Sequence, residues 1–141
     1  MPAFSARDLT GRAWTARDLR GKVVLGVVWA TWCEPCKAEL PIVRKLRDRY
    51  AARKDVVILT VNVDANPALV KPFAEQVKLD LPVLLGTDLA DKLNLSSTLP
   101  SAFVADTGGV VRLTAPQGLP MNGEEEWLTA ASEGIDRVSR R

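Results

Sequence analysis

The sequence predicts an α/β fold built on a mixed central sheet flanked by helices. Three observations carry that prediction. A continuous apolar run of β-branched character, "KVVLGVVW" (22–29), reads as a strand buried on both faces. A helical pattern follows, with Leu40, Val43, Leu46 and Tyr50 recurring at three- and four-residue steps. A second buried run, "DVVILTVNVD" (55–64), comes next, and a helix joining two such strands makes a right-handed parallel β-α-β unit.

The remaining elements follow in order. "FSARDLTGRAWTARDLRG" reads as a short strand, a turn at Thr10-Gly11, a second strand near Trp14 and a helical turn ending at Gly21. Pro41 lies inside the first helix, where it removes a backbone donor and predicts a kink. Six basic residues between Arg44 and Lys54 suit the negative end of that helix. Asn66 caps a helix with Pro67 at its first position, running to about Lys78. "PVLLG" (82–86) is a short strand and "DLADKLNL" (88–95) a short helix. "SAFVADTGGVVRLT" (101–114) forms a hairpin turning at Thr107-Gly108-Gly109. "EEEWLTAASEGIDRV" (124–138) closes the chain as a helix, its glutamates at the positive end.

The chain of 141 residues fits one domain, 1–141, long enough to bury a core without cross-links. Apolar residues make up 47% of it and charged residues 26%, which excludes a disordered chain. A net charge of +2 argues against nucleic acid as a partner. The basic run 44–54 is broken by Asp48 and lies along a helical apolar stripe, so it reads as a solvated helix face. No segment approaches the roughly 18 apolar residues of a membrane span. The start "MPAFSARD" lacks the layout of a signal peptide. The expectation is either a cytoplasmic protein or one whose export or anchor segment precedes Met1.

Both cysteines lie in "WATWCEPCKAEL" (29–40), as Cys33 and Cys36. With two cysteines and no histidine, the chain lacks the ligands of a structural zinc site, an iron–sulfur cluster or a covalently attached haem. No metal or organic cofactor is expected, although two thiolates leave a copper(I) carrier open as the alternative. A disulfide closing so short a loop adds little stability, so a purely structural bridge is a poor explanation. Redox chemistry has positive grounds. A thiol at a helix start faces unpaired N–H groups that favour its thiolate. Cysteines three apart on a helix share a face, within reach of a disulfide. Pro35 stiffens the first turn without wasting a donor. Cys33 is therefore expected to be exposed and nucleophilic, and Cys36 to be shielded and to resolve a mixed disulfide.

"GKVVLGVVWATWCEPCKAELP" resembles the active-site segment of thioredoxin-fold proteins, and most the TlpA/ResA branch of bacterial thiol–disulfide oxidoreductases. "FSARDLTGRAWTARDLRGK" resembles the N-terminal hairpin of that branch, "STLPSAFVADTGGVVRL" its cis-proline strand and hairpin, and 65–95 its inserted helix and strand. The resemblance covers almost the whole chain. It implies a thioredoxin-like fold, catalytic roles for Cys33 and Cys36, and a cis Leu99–Pro100 bond that positions an extended substrate. It also implies an extracytoplasmic, often membrane-anchored location, with membrane contact only through a segment this sequence does not contain. The implied partners are a protein disulfide substrate and an upstream dithiol donor, with the protein itself a monomer.

The neighbours of the motif add detail. Trp32 offers an apolar platform to an incoming protein, while Trp29 suits the core. A carboxylate at Glu34 disfavours the Cys33 thiolate if it lies close, and is screened if it faces solvent. The first case leans the protein toward donating electrons. The resemblance points the same way, toward reductants in cytochrome c maturation. Thioredoxins carry a buried aspartate six residues before the first cysteine, where this chain has Val27. Asp64, at the carboxyl end of the second strand, is the nearest candidate by topology to accept the Cys36 proton, expected within one bridging water. Its plainer role is to cap the turn into Asn66-Pro67.

Overall fold

Side chains on both faces of two adjacent strands set the architecture of this protein, whose residues 1–139 are described by a computed structural model. A hairpin of β1 (Ser5–Asp8) and β2 (Ala13–Thr15) leads through a 3-10 turn, Ala16–Leu19, into β3 (Val23–Trp29). Then come α1 (Glu34–Arg49), β4 (Val56–Asn62), a 3-10 turn at Pro67–Leu69 continuing as α2 (Val70–Gln76), and β5 (Val83–Leu85). The chain ends with α3 (Thr87–Lys92), β6 (Ser101–Ala105), β7 (Val111–Ala115) and α4 (Glu124–Ser139). Among the described residues the strands form one sheet in the order β2-β1-β5-β4-β3-β6-β7. β3 runs parallel to β4, and β4 to β5, while β6 pairs antiparallel with β3 and β1 antiparallel with β5. The sheet is mixed, as predicted.

All seven residues of β3 are buried, and alternation splits them between two cores. Val23, Leu25 and Val27 pack with Val43 and Leu46 of α1 and with Trp127, Leu128 and Ile135 of α4. Val24 and Val28 face the opposite side, with Leu59, Leu84, Leu89 and Phe103. This two-sided burial is why the run shows no polar alternation. Gly26 fits between them because a Cβ there would overlap the ring of Phe103, its partner on β6. Each fully buried aliphatic contributes roughly 1.5–3 kcal/mol. Truncating fully buried Leu46 to alanine would cost about 2–5 kcal/mol and loosen α1.

Three local outcomes refine the sequence reading. α1 continues past Pro41 to Arg49 as one helix, and it begins at Glu34 with Cys33 as its N-cap. β4 stops at Asn62, two residues before Asp64, because the Asn62 side chain accepts the Asp64 N–H at 2.9 Å and turns the chain. Asn66, as expected, caps the following turn by accepting the Ala68 N–H.

Candidate active site

The end of β3 and the start of α1 bring the two cysteines together. Cys33 and Cys36 form a disulfide with their Cα atoms 5.3 Å apart. Cys33 is extended (φ −93°, ψ 105°), as an N-cap requires, and its Sγ accepts the Cys36 N–H at 3.3 Å. The Cys33 sulfur thus sits on the unpaired donors at the positive end of a 16-residue helix. Cys36 is fully buried. Cys33, expected to be exposed, retains only 6% of its surface in this oxidised form, because its sulfur is drawn into the helix end and bonded to Cys36. The order of accessibility is kept, and the degree is smaller. Trp32 beside it is 67% exposed, whereas Trp29 is buried against Phe73, their rings 5.6 Å apart. Glu34 faces solvent and pairs with Lys37 at 3.2 Å, so its charge near Cys33 is screened and partly offset.

The second wall comes from the strand antiparallel to β3. Val28 pairs with Ser101, which sets the preceding residues, Leu99 and Pro100, beside the end of β3 that leads to the cysteines. The Leu99–Pro100 peptide bond is cis. Leu99 packs against the cluster that contains both cysteines. Ser101 anchors the segment by donating its hydroxyl to the Leu95 carbonyl at 2.6 Å. From the other side the loop after β7 presses on Pro100 through Gly118. At φ +82° Gly118 adopts a backbone that side chains disfavour, and a Cβ there would lie 3.0 Å from the Pro100 carbonyl oxygen.

Two buried carboxylates stand near this assembly. Asp64 Oδ1 accepts the Thr31 hydroxyl at 2.6 Å, and Oδ2 accepts the Thr31 N–H at 2.8 Å and the Asn62 amide at 2.8 Å. Asp64 therefore ties the loop before Cys33 to the end of β4, and its oxygens are engaged there. The turn at Asn66 is capped by Asn66 itself. Glu39 lies on α1 one turn after Cys36 and is fully buried. Its Oε2 accepts the indole N–H of Trp127 at 2.8 Å, while Oε1 has no hydrogen-bond partner among the described residues. Burial pushes its carboxyl up to about 7, against the lowering effect of the Trp127 bond.

Residues 1–114 match the AhpC/TSA family. The chain belongs to that family. It is similar to the thioredoxin-like protein YneN of Bacillus subtilis, 32% identical over 79% of this chain and 66% of YneN. It is similar also to the thiol-disulfide oxidoreductase ResA of Geobacillus thermodenitrificans, 38% identical over 79% of this chain and 64% of ResA. The chain thus spans a little less than two thirds of these curated relatives. Among solved structures it resembles one from Chlorobium tepidum, provisionally assigned as the thiol:disulfide interchange protein DsbE. That match has a TM-score of 0.79 and 26% identity over 95% of this chain and 94% of the other. The chain has the thioredoxin-like fold that the resemblance implied.

Within this AhpC/TSA-family framework the geometry gathers Cys33, Cys36, Trp32, Pro35, Leu99 and Pro100 at one edge of the sheet, with Asp64 bracing the loop. Sequence reasoning missed Glu39. The signal was present: Glu39 is three residues after Cys36 and four before Val43, on the stripe of Cys36, Leu40, Val43 and Leu46 that α1 buries. A charged residue within an apolar stripe marks a buried carboxylate. Val27, where thioredoxins have their aspartate, packs in the same layer as Trp127. The helix supplies the buried carboxylate that the strand does not.

Proposed function

We propose that this protein is a thiol–disulfide oxidoreductase that reduces disulfides of protein substrates. The observation carrying the proposal is the Cys33–Cys36 pair at a helix N-terminus, with the cis-Pro100 segment on the neighbouring strand. In the reduced protein the Cys33 thiolate attacks one sulfur of a substrate disulfide, and the other substrate sulfur leaves as a thiolate. Glu39, whose carboxyl burial raises to about 7, accepts the proton of the buried Cys36 thiol. The Cys36 sulfur then attacks Cys33 Sγ, releasing the second substrate thiolate and leaving the disulfide seen here. Two electrons pass to the substrate, and a dithiol donor must return them. An extended substrate pairs with backbone groups near Leu99, with Trp32 as its apolar platform. Resemblance to ResA-type proteins supports a place in cytochrome c maturation and an extracytoplasmic location, and the length of the chain supports reading residues 1–141 as one domain acting as a monomer. No helix of the described residues is long and apolar enough to cross a membrane.

Reduction of insulin disulfides by the pre-reduced protein tests the reading. Cys36→Ser should accumulate a mixed disulfide through Cys33, and Cys33→Ser should form none. Trapping only through Cys36 would reverse the assignment. Copper(I) binding with no insulin reduction would replace it with a carrier role.

A further inference from the structure

Trp127 is the feature of the core that its packing role does not explain. The ring lies wholly inside the cluster formed by α1, β3 and α4, where any large apolar residue would fill the space. A buried indole N–H must nevertheless find an acceptor, and here it finds Glu39 across 88 positions of sequence. That bond is the one polar contact Glu39 makes among the described residues, and it engages Oε2 while Oε1 stays free. The first turn of α4 is tied to α1 further along that helix. Glu124 pairs with Lys45 at 2.5 Å and Glu125 with Arg49 at 3.6 Å, so the indole has a defined place relative to α1.

We propose that Trp127 is the positioning residue for Glu39: its indole N–H holds one carboxylate oxygen and presents the other to receive the Cys36 proton. The inference rests on the reading of Glu39 as proton acceptor given above. Few other groups could govern this carboxylate. On α1 the nearest titratable neighbours are Cys36 itself and Lys37, which pairs with Glu34. On α4 the first-turn acids are Glu124, Glu125 and Glu126, the first two ion-paired outward. The sheet side of the layer offers Leu25 and Val27. Burial and the Trp127 bond are the two influences on its ionisation, acting in opposite directions. A donor to the ionised form favours that form. Without the indole, Glu39 would hold its proton more tightly and be a poorer base at neutral pH.

The test follows the indole and the resolving step separately. In reduced wild-type protein labelled with nitrogen-15, the Trp127 N–H resonance is tracked from pH 5 to 9. It should move with a single midpoint near 7 and stay flat in Glu39→Gln. A small aromatic disulfide, dithiobis-nitrobenzoate, then reports resolution as the second thiol released. In Trp127→Phe the midpoint of that rate should rise by about one pH unit, slowing release several-fold at pH 7 while the high-pH plateau recovers. In the Glu39→Gln background, Trp127→Phe should add no further change. A wild-type indole resonance that ignores pH overturns the inference without needing any Trp127 variant. So does an unmoved midpoint in Trp127→Phe when Glu39→Gln has lost its step. If Glu39→Gln keeps the wild-type profile, the proton-acceptor reading itself fails and takes this inference with it.

Discussion

Asp64 and Glu39 are both carboxylates buried near the cysteines, and they are built in opposite ways. Asp64 sits where β4 turns, surrounded by donors, and both of its oxygens accept hydrogen bonds, three in all. Glu39 sits on a helix face against apolar side chains, with one donor and one free oxygen. A carboxylate bonded through both oxygens is suited to holding a loop. An undersatisfied one, raised to about 7 by burial, is divided between its two states near neutral pH and is suited to proton transfer. The difference lies in the surroundings, because the functional group is the same.

The sharpest way to break this contrast is Glu39→Gln. Resolution of the mixed disulfide at pH 7 should slow by on the order of a hundredfold, measured by stopped-flow release of the aromatic thiol. A wild-type rate would place Glu39 with Asp64 as a structural group. The same substitution should change the pH dependence of stability. The folded value of about 7 lies above the ordinary 4.5, so the folded state binds the extra proton between those limits and loses stability as pH rises through them. That gap corresponds to on the order of 3 kcal/mol. Urea unfolding of the oxidised protein at pH 4.5 and pH 8 should show the loss in wild type and its absence in Glu39→Gln.

Asp64→Ala should cost about 1–3 kcal/mol by leaving the Thr31 and Asn62 donors unpaired, while the pH midpoint of resolution stays where it is. A shifted midpoint would mean that Asp64 also handles protons. Asp64→Asn should do less, below about 1 kcal/mol, because an amide oxygen still accepts the two N–H bonds and its nitrogen can donate to the Thr31 hydroxyl. The smallest effect belongs to Asp8 at the outer hairpin. Burial raises its carboxyl, but hydrogen bonds from Thr10, Trp14 and Arg12 outweigh that and bring it down to about 2. Its contribution is present above pH 4 and is lost as pH falls through about 2. Solvent screening keeps it below about 1 kcal/mol, so acid titration of Asp8→Asn should differ from wild type only in that window.

Much of this contrast was half-legible in the residues. The buried strands announced themselves because burial on both faces demands uninterrupted apolar runs, and the cysteine motif and Pro100 carried the reactive edge. Asp64 could be placed near that edge by strand direction. Its attachment to Thr31 depends on the register of β3 against β4, which pairs Trp29 with Asn62, and local pattern does not encode register. Glu39 was readable from spacing alone, yet its state was not, since that depends on a tryptophan 88 residues away. The pairing of Arg7 with Leu85, which carries the hairpin onto the sheet, joins two short strands with no local signature.

The amino group of Met1 donates to the Gly109 carbonyl in the β6–β7 turn. That turn follows Ala105, which pairs with Val24 near the start of β3, whereas Cys33 lies beyond the end of the same strand. Seven residues of extended chain span roughly 20 Å. The β6–β7 turn and the reactive sulfurs therefore occupy opposite poles. A resin, dye or sensor surface held at the β6–β7 turn would leave the cysteine pole facing away from it, toward incoming proteins as large as the protein itself.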